Sequence, residues 1–289
     1  MPRGTQGAVC LTARAMNKRT SYRTVWISDV HLGTKDCEAE KLIAFLSRVE
    51  CEHLYLVGDI IDVWALRRKW YWPRSHNYVV RKIIKQDLRG TKVTFVPGNH
   101  DEIFRDYDGF QFGGVTIQNE AIHETADGKR ILIVHGDEFD AVVRNAKLIT
   151  ALGDWLYYVL LWFNRGFNWV RRKLGMPYWS LAGFIKGKVK RAVQFVSDFE
   201  SAVVKSAQEK GVDAVLCGHI HAAEITEMDG LTYLNTGDWV ESCTAIVEHH
   251  DGRLELLDLK HLEWERVTPF REQEDRRPTQ RPTTAILPR

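Results

Sequence analysis

Short apolar runs recur along the chain, and many of them stop at a polar residue of a restricted kind. Thr-Val-Trp-Ile-Ser at 24–28 runs into Asp29 and predicts a buried strand with its chemistry at the C-terminal tip. Apolar positions Leu42, Ile43, Phe45, Leu46 and Val49 share one helical face, predicting an amphipathic helix over 38–49. A second strand is expected over 53–57, ending in Gly58-Asp59, and a second helix over 77–88, stopped by Gly90. A third strand at 92–96 leads into Pro97-Gly98-Asn99-His100-Asp101. The alternation of strand and helix argues for an α/β core.

The pattern then changes. Strands are expected at 113–117, 121–125 and 129–134, with Asp127-Gly128 as a hairpin signal, and the last runs into His135-Gly136-Asp137. From about 141 to 210 there is no strand signal and the chain reads as a helical insert. A strand at 212–217 ends in Gly218-His219-Ile220-His221. Further strands are expected at 223–227, 232–235, 243–249 and 254–259, with Gly230 and Gly252 in the turns, and no internal repeat is visible.

A chain of 289 residues accommodates one large domain or a domain with an insertion. We place the domain at 23–265, between a disordered extension at 1–22 and a disordered tail at 266–289 rich in Arg, Pro and Thr. The extension lacks the apolar core of a secretory signal, and translation starting at Met16 would suit it equally. No uncharged apolar stretch reaches the ~18 residues that would span a bilayer. The five cysteines are odd in number and form no C-x-x-C pair, which disfavours a disulfide framework and points to a reducing compartment.

Five strand ends carry Asp, His or Asn. Taken singly, an Asp after a strand is a turn or helix cap, and a lone His is a satisfied core or surface residue. Five such features in order point to one site, because open α/β sheets bind ligands beyond the carboxyl ends of their strands. The donors Asp29, His31, Asp59, Asn99, His135, His219 and His221 mix carboxylates, imidazoles and one amide. That set suits manganese, iron or zinc better than calcium or a thiolate-bound ion. Two ions need a bridging ligand, for which Asp59 is the candidate. A metal pair about 3.5–4 Å apart activates water and stabilises an in-line displacement at phosphorus. Asp62 and Asp137 read either as partners of metal-bound imidazoles or as solvated or capping carboxylates. Asn235-Thr236-Gly237-Asp238 reads as a loop near the site mouth without an assigned role.

Asp29-x-His31, Gly58-Asp59, Gly98-Asn99-His100-Asp101, His135-Gly136-Asp137 and Gly218-His219-x-His221, in that order, resemble the calcineurin-like metallophosphoesterase superfamily. The resemblance implies an α/β (α+β) fold of two facing mixed β-sheets flanked by helices. It implies two divalent ions, with manganese first and iron, zinc or magnesium as alternatives. One ion would be held by Asp29, His31, Asp59 and His221, the other by Asp59, Asn99, His135 and His219. His100 would sit by the scissile phosphate and protonate the leaving oxygen or stabilise charge, with Asp101 orienting it.

The insert bears on the substrate. From Trp155 to Val196 there is no Asp or Glu, but there are eight Lys or Arg and eleven aromatic residues. Three readings stand: packed helices with a solvated basic face, a lid for a lipid-like anionic substrate, or a nucleic-acid surface. The lid is favoured and nucleic acid disfavoured, because the aromatics cluster with Leu and Val. Trp162, Arg165, Arg171, Arg172 and Lys186 are the candidate substrate contacts. Within the superfamily the chain is most similar to the UDP-2,3-diacylglucosamine hydrolase group, which carries a helical lid in the matching place. That resemblance implies a lipid-linked nucleotide-sugar substrate and a cytoplasmic enzyme peripheral on the inner membrane surface. The chain departs from the group by having His100 rather than Arg after the metal-binding Asn. It also has Ile220 and Ala222-Ala223 in the Gly-His-x-His segment, and Glu138-Phe139-Asp140 after His-Gly-Asp. It therefore reads as a paralogous branch. A general phosphatase or nuclease on the same cage, and a lipid-binding protein with a relict site, are the alternatives.

Overall fold

A computed structural model describes residues 19–139 and 196–261. The expected extension up to residue 18, the tail at 266–289, and residues 140–195, which make up most of the expected insert, lie outside the described residues. So do all five candidate substrate contacts.

In chain order the elements are β1 (Thr20–Ile27), α1 (Ala39–Arg48), β2 (Val49–Val57), α2 (Val63–Arg68), α3 (Arg74–Asp87) and β3 (Lys92–Val96). Then come β4 (Gln111–Phe112), β5 (Val115–Ile117), β6 (Ala121–Glu124) and β7 (Arg130–Ile133). Next come a helix α4, described over 196–209 at the end of the expected insert, and β8 (Ala214–Cys217), β9 (Glu224–Met228), β10 (Leu231–Asn235), β11 (Thr244–Glu248) and β12 (Leu254–Asp258). No helix among the described residues is long and apolar enough to cross a membrane.

Two mixed sheets form. One has the order β12-β11-β1-β2-β3-β5-β4, the other β6-β7-β8-β10-β9. Strands β1, β2 and β3 run parallel, as do β7 and β8, so each set presents its C-terminal tips at one end. The two-residue period of a strand explains how one sequence serves two cores. On β1, Val25 and Ile27 point to α1 and α3, while Trp26 points to the other sheet. On β8, Ala214 and Leu216 join that inter-sheet layer, while Val215 and Cys217 pack toward α4. Trp26, fully buried between the sheets, stacks with Tyr55 at 6.1 Å. Burial of such a side chain contributes roughly 2–3 kcal/mol.

The departures from expectation have local causes. β1 begins at Thr20, inside the stretch expected to be extension, because Thr20 and Ser21 pair with Val49 and Glu50 of β2. β2 starts at Val49 rather than 53, and its first half alternates buried and exposed positions instead of forming an apolar run. α2 buries no residue fully and β4 is exposed, so neither leaves a hydrophobic pattern. The Asp127-Gly128 hairpin forms between β6 and β7.

Candidate metal centre

The tips of β1, β2, β3, β7 and β8 meet. Three groups of side chains each place their ligating atoms within 4.8 Å of one another: Asp29, His31 and His221; His31, Asp59 and His100; and Asp59, His135 and His219. Asp59 belongs to two of them through different oxygens. Its Oδ1 lies 3.4 Å from His135 Nε2, and its Oδ2 lies 3.9 Å from both His31 Nε2 and His100 Nε2. This is the arrangement a bridging carboxylate needs. His221 Nε2 lies 3.1 Å from Asp29 Oδ1.

The turns that aim these side chains are strained. Seven non-glycine residues have a positive φ among the described residues, and five are Asp29, His31, Asp59, His219 and His221. Such backbone costs of order 1–3 kcal/mol per residue and gathers at functional sites. The neighbouring glycines leave room for the ligands. A Cβ on Gly58 would lie 2.0 Å from His135 Nδ1, and one on Gly98 would lie 2.3 Å from Asp59 Oδ1.

Other groups fix the orientation. His135 Nδ1 donates to the Val57 carbonyl at 3.1 Å, which turns Nε2 toward Asp59. Asp29 Oδ2 accepts from the His219 N–H at 3.0 Å and from Ser28 Oγ. Ser28 Oγ in turn lies 2.6 Å from Thr236 Oγ1 and 3.0 Å from the Gly237 carbonyl. The 235–238 loop, without a role in the sequence, is thus the support behind Asp29. Asp62 combines both readings open to it. Its Oδ1 accepts from Ala65 N–H at 2.6 Å and caps α2, while its Oδ2 lies 3.2 Å from His31 Nδ1 and 3.0 Å from His100 Nδ1. Asp137 pairs with Arg105 at 2.6 Å.

Asp101 departs from expectation. It does not face His100. Its fully buried carboxylate accepts four backbone N–H groups: Gly98 at 2.6 Å, Ile60 at 2.7 Å, Ile61 at 3.1 Å and Asp59 at 3.3 Å. It therefore ties the Gly-Asp turn after β2 to the Gly-Asn turn after β3. The Asp101 carboxylate is taken up by these N–H groups, while His100 Nε2 lies 3.9 Å from Asp59 Oδ2. Asp62 takes the place expected for Asp101 beside His100. Sequence reading also missed Trp64, whose ring packs on His100 at 4.5 Å between centroids. Its place two residues after Asp62 was the available signal.

The donor atoms fit a bound cation. Asp29 Oδ1, His31 Nε2, Asn99 Oδ1 and His135 Nε2 are all buried without a hydrogen-bond partner. Buried polar atoms are rarely left so; of the seven such side-chain atoms among the described residues, these four belong to candidate ligands, the others being Trp26 Nε1, Trp239 Nε1 and His100 Nδ1, which faces Asp62. The electrostatics agree. Burial disfavours charge on Asp59, but the His135 imidazole beside it and the His100 N–H hold its carboxyl well below the usual range. Burial pulls the His100 imidazole down, and Asp62 and Asp59 more than offset this, raising its pKa. Burial and the Asp59 carboxylate push Asp101 up to about 6, against the pull of its N–H donors.

A sequence-family model described as Calcineurin-like phosphoesterase matches residues 22–223. A UDP-2,3-diacylglucosamine hydrolase of Haemophilus influenzae (strain PittGG) is 24% identical over 229 residues, covering 77% of this chain and 93% of that protein. One of Neisseria meningitidis serogroup B is 25% identical over 237 residues, covering 77% and 92%. Among solved structures, a novel archaeal phosphodiesterase aligns at TM-score 0.38 and 13% identity, covering 81% of this chain and 98% of that one.

Proposed function

The chain belongs to the calcineurin-like phosphoesterase family, and on that premise we propose that it is a dinuclear-metal hydrolase of a phosphoanhydride or phosphodiester. The leading substrate is a UDP-2,3-diacylglucosamine-like lipid-linked nucleotide sugar, met by a cytoplasmic enzyme at the inner membrane surface. The observation that carries the metal chemistry is that buried donor atoms, several without a hydrogen-bond partner, gather in three groups, two of which share Asp59. Asp29, His31, Asp59 and His221 would hold one ion, and Asp59, Asn99, His135 and His219 the other. Manganese is the leading candidate by donor type, with iron, zinc or magnesium as alternatives. Ions bound there would supply a water-derived nucleophile and neutralise charge growing on phosphorus oxygens.

The protein's own residues do the rest. Asp59 keeps its negative charge through His135 and the His100 backbone N–H, so it enters the site as a carboxylate. Asp62 holds the His31 and His100 imidazoles by their Nδ1 atoms, which leaves both Nε2 atoms facing the site. His100 is partly exposed and holds its proton more tightly than a free imidazole, which suits donation to a leaving oxygen. The relatives named for UDP-2,3-diacylglucosamine hydrolysis support the substrate. In this reading Arg165, Arg171, Arg172 and Lys186 meet its phosphates and Trp162 its acyl chains.

The test has two arms. Hydrolysis of a bis-aryl phosphate with added Mn²⁺ should fall at least about a thousandfold in Asp59→Asn, with loss of bound metal. Activity undiminished in that variant would end the assignment. A UDP-diacyl-sugar should then be cleaved in preference to single-stranded nucleic acid or a phosphopeptide. The opposite order would leave a metallophosphoesterase of another substrate.

A further inference from the structure

A second basic and aromatic stretch lies next to the site. Between Asp62 and Asp87 the sequence has no acidic residue and seven Lys or Arg. Arg67, Arg68, Lys69 and Trp70 stand exposed one after another where α2 ends. None of the three cations pairs with a carboxylate among the described residues. Farther along α3, burial together with Lys85, Arg89 and Arg19 holds the Lys82 amine below its usual value, which marks a field of like charge.

The exposure of Trp70, at 75%, does not come from a slack loop. Its neighbour Trp72 packs against the core under the first sheet and donates from Nε1 to Asn77 Oδ1 at 2.8 Å. Trp72 also meets His76 edge-on at 5.4 Å, and His76 Nδ1 accepts the Gly33 N–H at 3.1 Å. Trp70 leans on Trp72 with ring centroids 6.4 Å apart. An anchored loop therefore holds a large apolar ring in water beside three cations. The same segment begins at the site, where Asp62 caps α2 and Trp64 packs on His100.

We propose that the exposed surface of Arg67, Arg68, Lys69 and Trp70 docks on an anionic lipid bilayer and holds the metal centre at its face. Indole rings settle at the headgroup level, and Lys and Arg are drawn to anionic lipid. Single-stranded nucleic acid is a weaker match, since stacking needs several ring faces along a groove and only Trp70 of this stretch is more than half exposed. The surface gives the lipid-linked substrate a place of encounter and rests on that reading for its purpose.

The test is flotation of the full chain with Mn²⁺ on vesicles of phosphatidylcholine alone and of phosphatidylcholine with phosphatidylglycerol. The protein should float with the anionic vesicles only, and less so at high salt. The triple change Arg67→Gln, Arg68→Gln, Lys69→Gln should lower partitioning on the order of a hundredfold, at about fivefold per charge. Trp70→Ser should lower it severalfold. Both variants should hydrolyse a soluble bis-aryl phosphate like the wild type, which shows that they are folded. Undiminished flotation of the folded triple variant overturns the proposal. So does tighter binding to a single-stranded oligonucleotide than to anionic vesicles. If flotation follows the expected pattern while no UDP-diacyl-sugar is cleaved, the substrate reading fails and the docking surface stands.

Discussion

Replacing Asp101 separates two roles for this carboxylate: steering His100, or tying two turns together. In Asp101→Ala, four buried N–H groups lose their acceptor, the closest at 2.6 and 2.7 Å. An unsatisfied buried donor costs about 1–3 kcal/mol. Relief of the buried charge and of its repulsion by Asp59, which together push the Asp101 pKa up to about 6, offsets part of that. A net loss of about 4 kcal/mol is expected, or roughly 10 °C in Tm at about 2–4 °C per kcal/mol. Asp101→Asn keeps one oxygen for one pair of N–H groups and turns an amide donor toward the other pair. It should cost about half as much. Chemical denaturation with chelator present gives the stability, and calorimetric titration with Mn²⁺ gives the affinity. Affinity should fall in both variants, because Asn99 and Asp59 sit on the two turns that Asp101 joins. The reasoning is refuted if Asp101→Ala keeps its Tm and metal affinity and changes only the pH profile of hydrolysis. That outcome would return the residue to its expected place beside His100.

Three further outcomes follow from the same geometry. His100→Ala should bind Mn²⁺ at unchanged stoichiometry while kcat falls about 10²–10⁴-fold, checked by metal analysis beside steady-state kinetics; loss of metal instead would make His100 a ligand. Gly58→Ala and Gly90→Ala both place alanine at positive φ, but only the first drives its Cβ into His135, while Gly90 has nothing within 4 Å. Denaturation should show Gly58→Ala costing at least about 2 kcal/mol more than Gly90→Ala. Glu248 is buried, and burial disfavours its charge, yet hydrogen bonds from His123, Thr24, the Ala126 N–H and Arg23 hold its carboxyl at about 2 in the folded protein. A depressed carboxylate pKa contributes stability above the unfolded value of 4.5, and that stability is lost as pH falls toward 2. Glu248→Gln should therefore cost about 3 kcal/mol at pH 7. The gap to wild type should close as pH falls from about 4.5 to 2, and a pH-independent gap would contradict the assignment.

What the sequence made legible, and what it hid, divides along physical lines. Strand tips were readable because burial of a strand writes an apolar run, and Asp29, Asp59, Asn99, His135 and His219 follow such runs directly. α2 and β4 bury too little to write any pattern, so the helix that carries Trp64 to His100 went unseen. The role of Asp101 was hidden because sequence order says which residues are adjacent, not which way a turn points them. Asp62 was ambiguous because its two oxygens do two jobs, capping a helix and holding two imidazoles.

The left-handed turns explain why the ligand motifs stand out at all. A turn that served only to reverse the chain would carry Gly or Asn at positive φ, where the backbone cost is least. Asp29, His31, Asp59, His219 and His221 are placed there instead, and two of them, Asp29 and His31, leave a buried donor atom without a partner as well. Each such choice weakens the metal-free fold, a cost that a cation bound in the proposed cage would offset. It follows that metal should raise the unfolding temperature well beyond what a surface ion achieves, by RT ln(1 + [L]/Kd), or about 4 kcal/mol at a thousandfold excess over Kd. It follows too that the glycines beside the ligands, Gly58 and Gly98, are part of the cage. They yield the space into which His135 and Asp59 are pressed, and no side chain can share it.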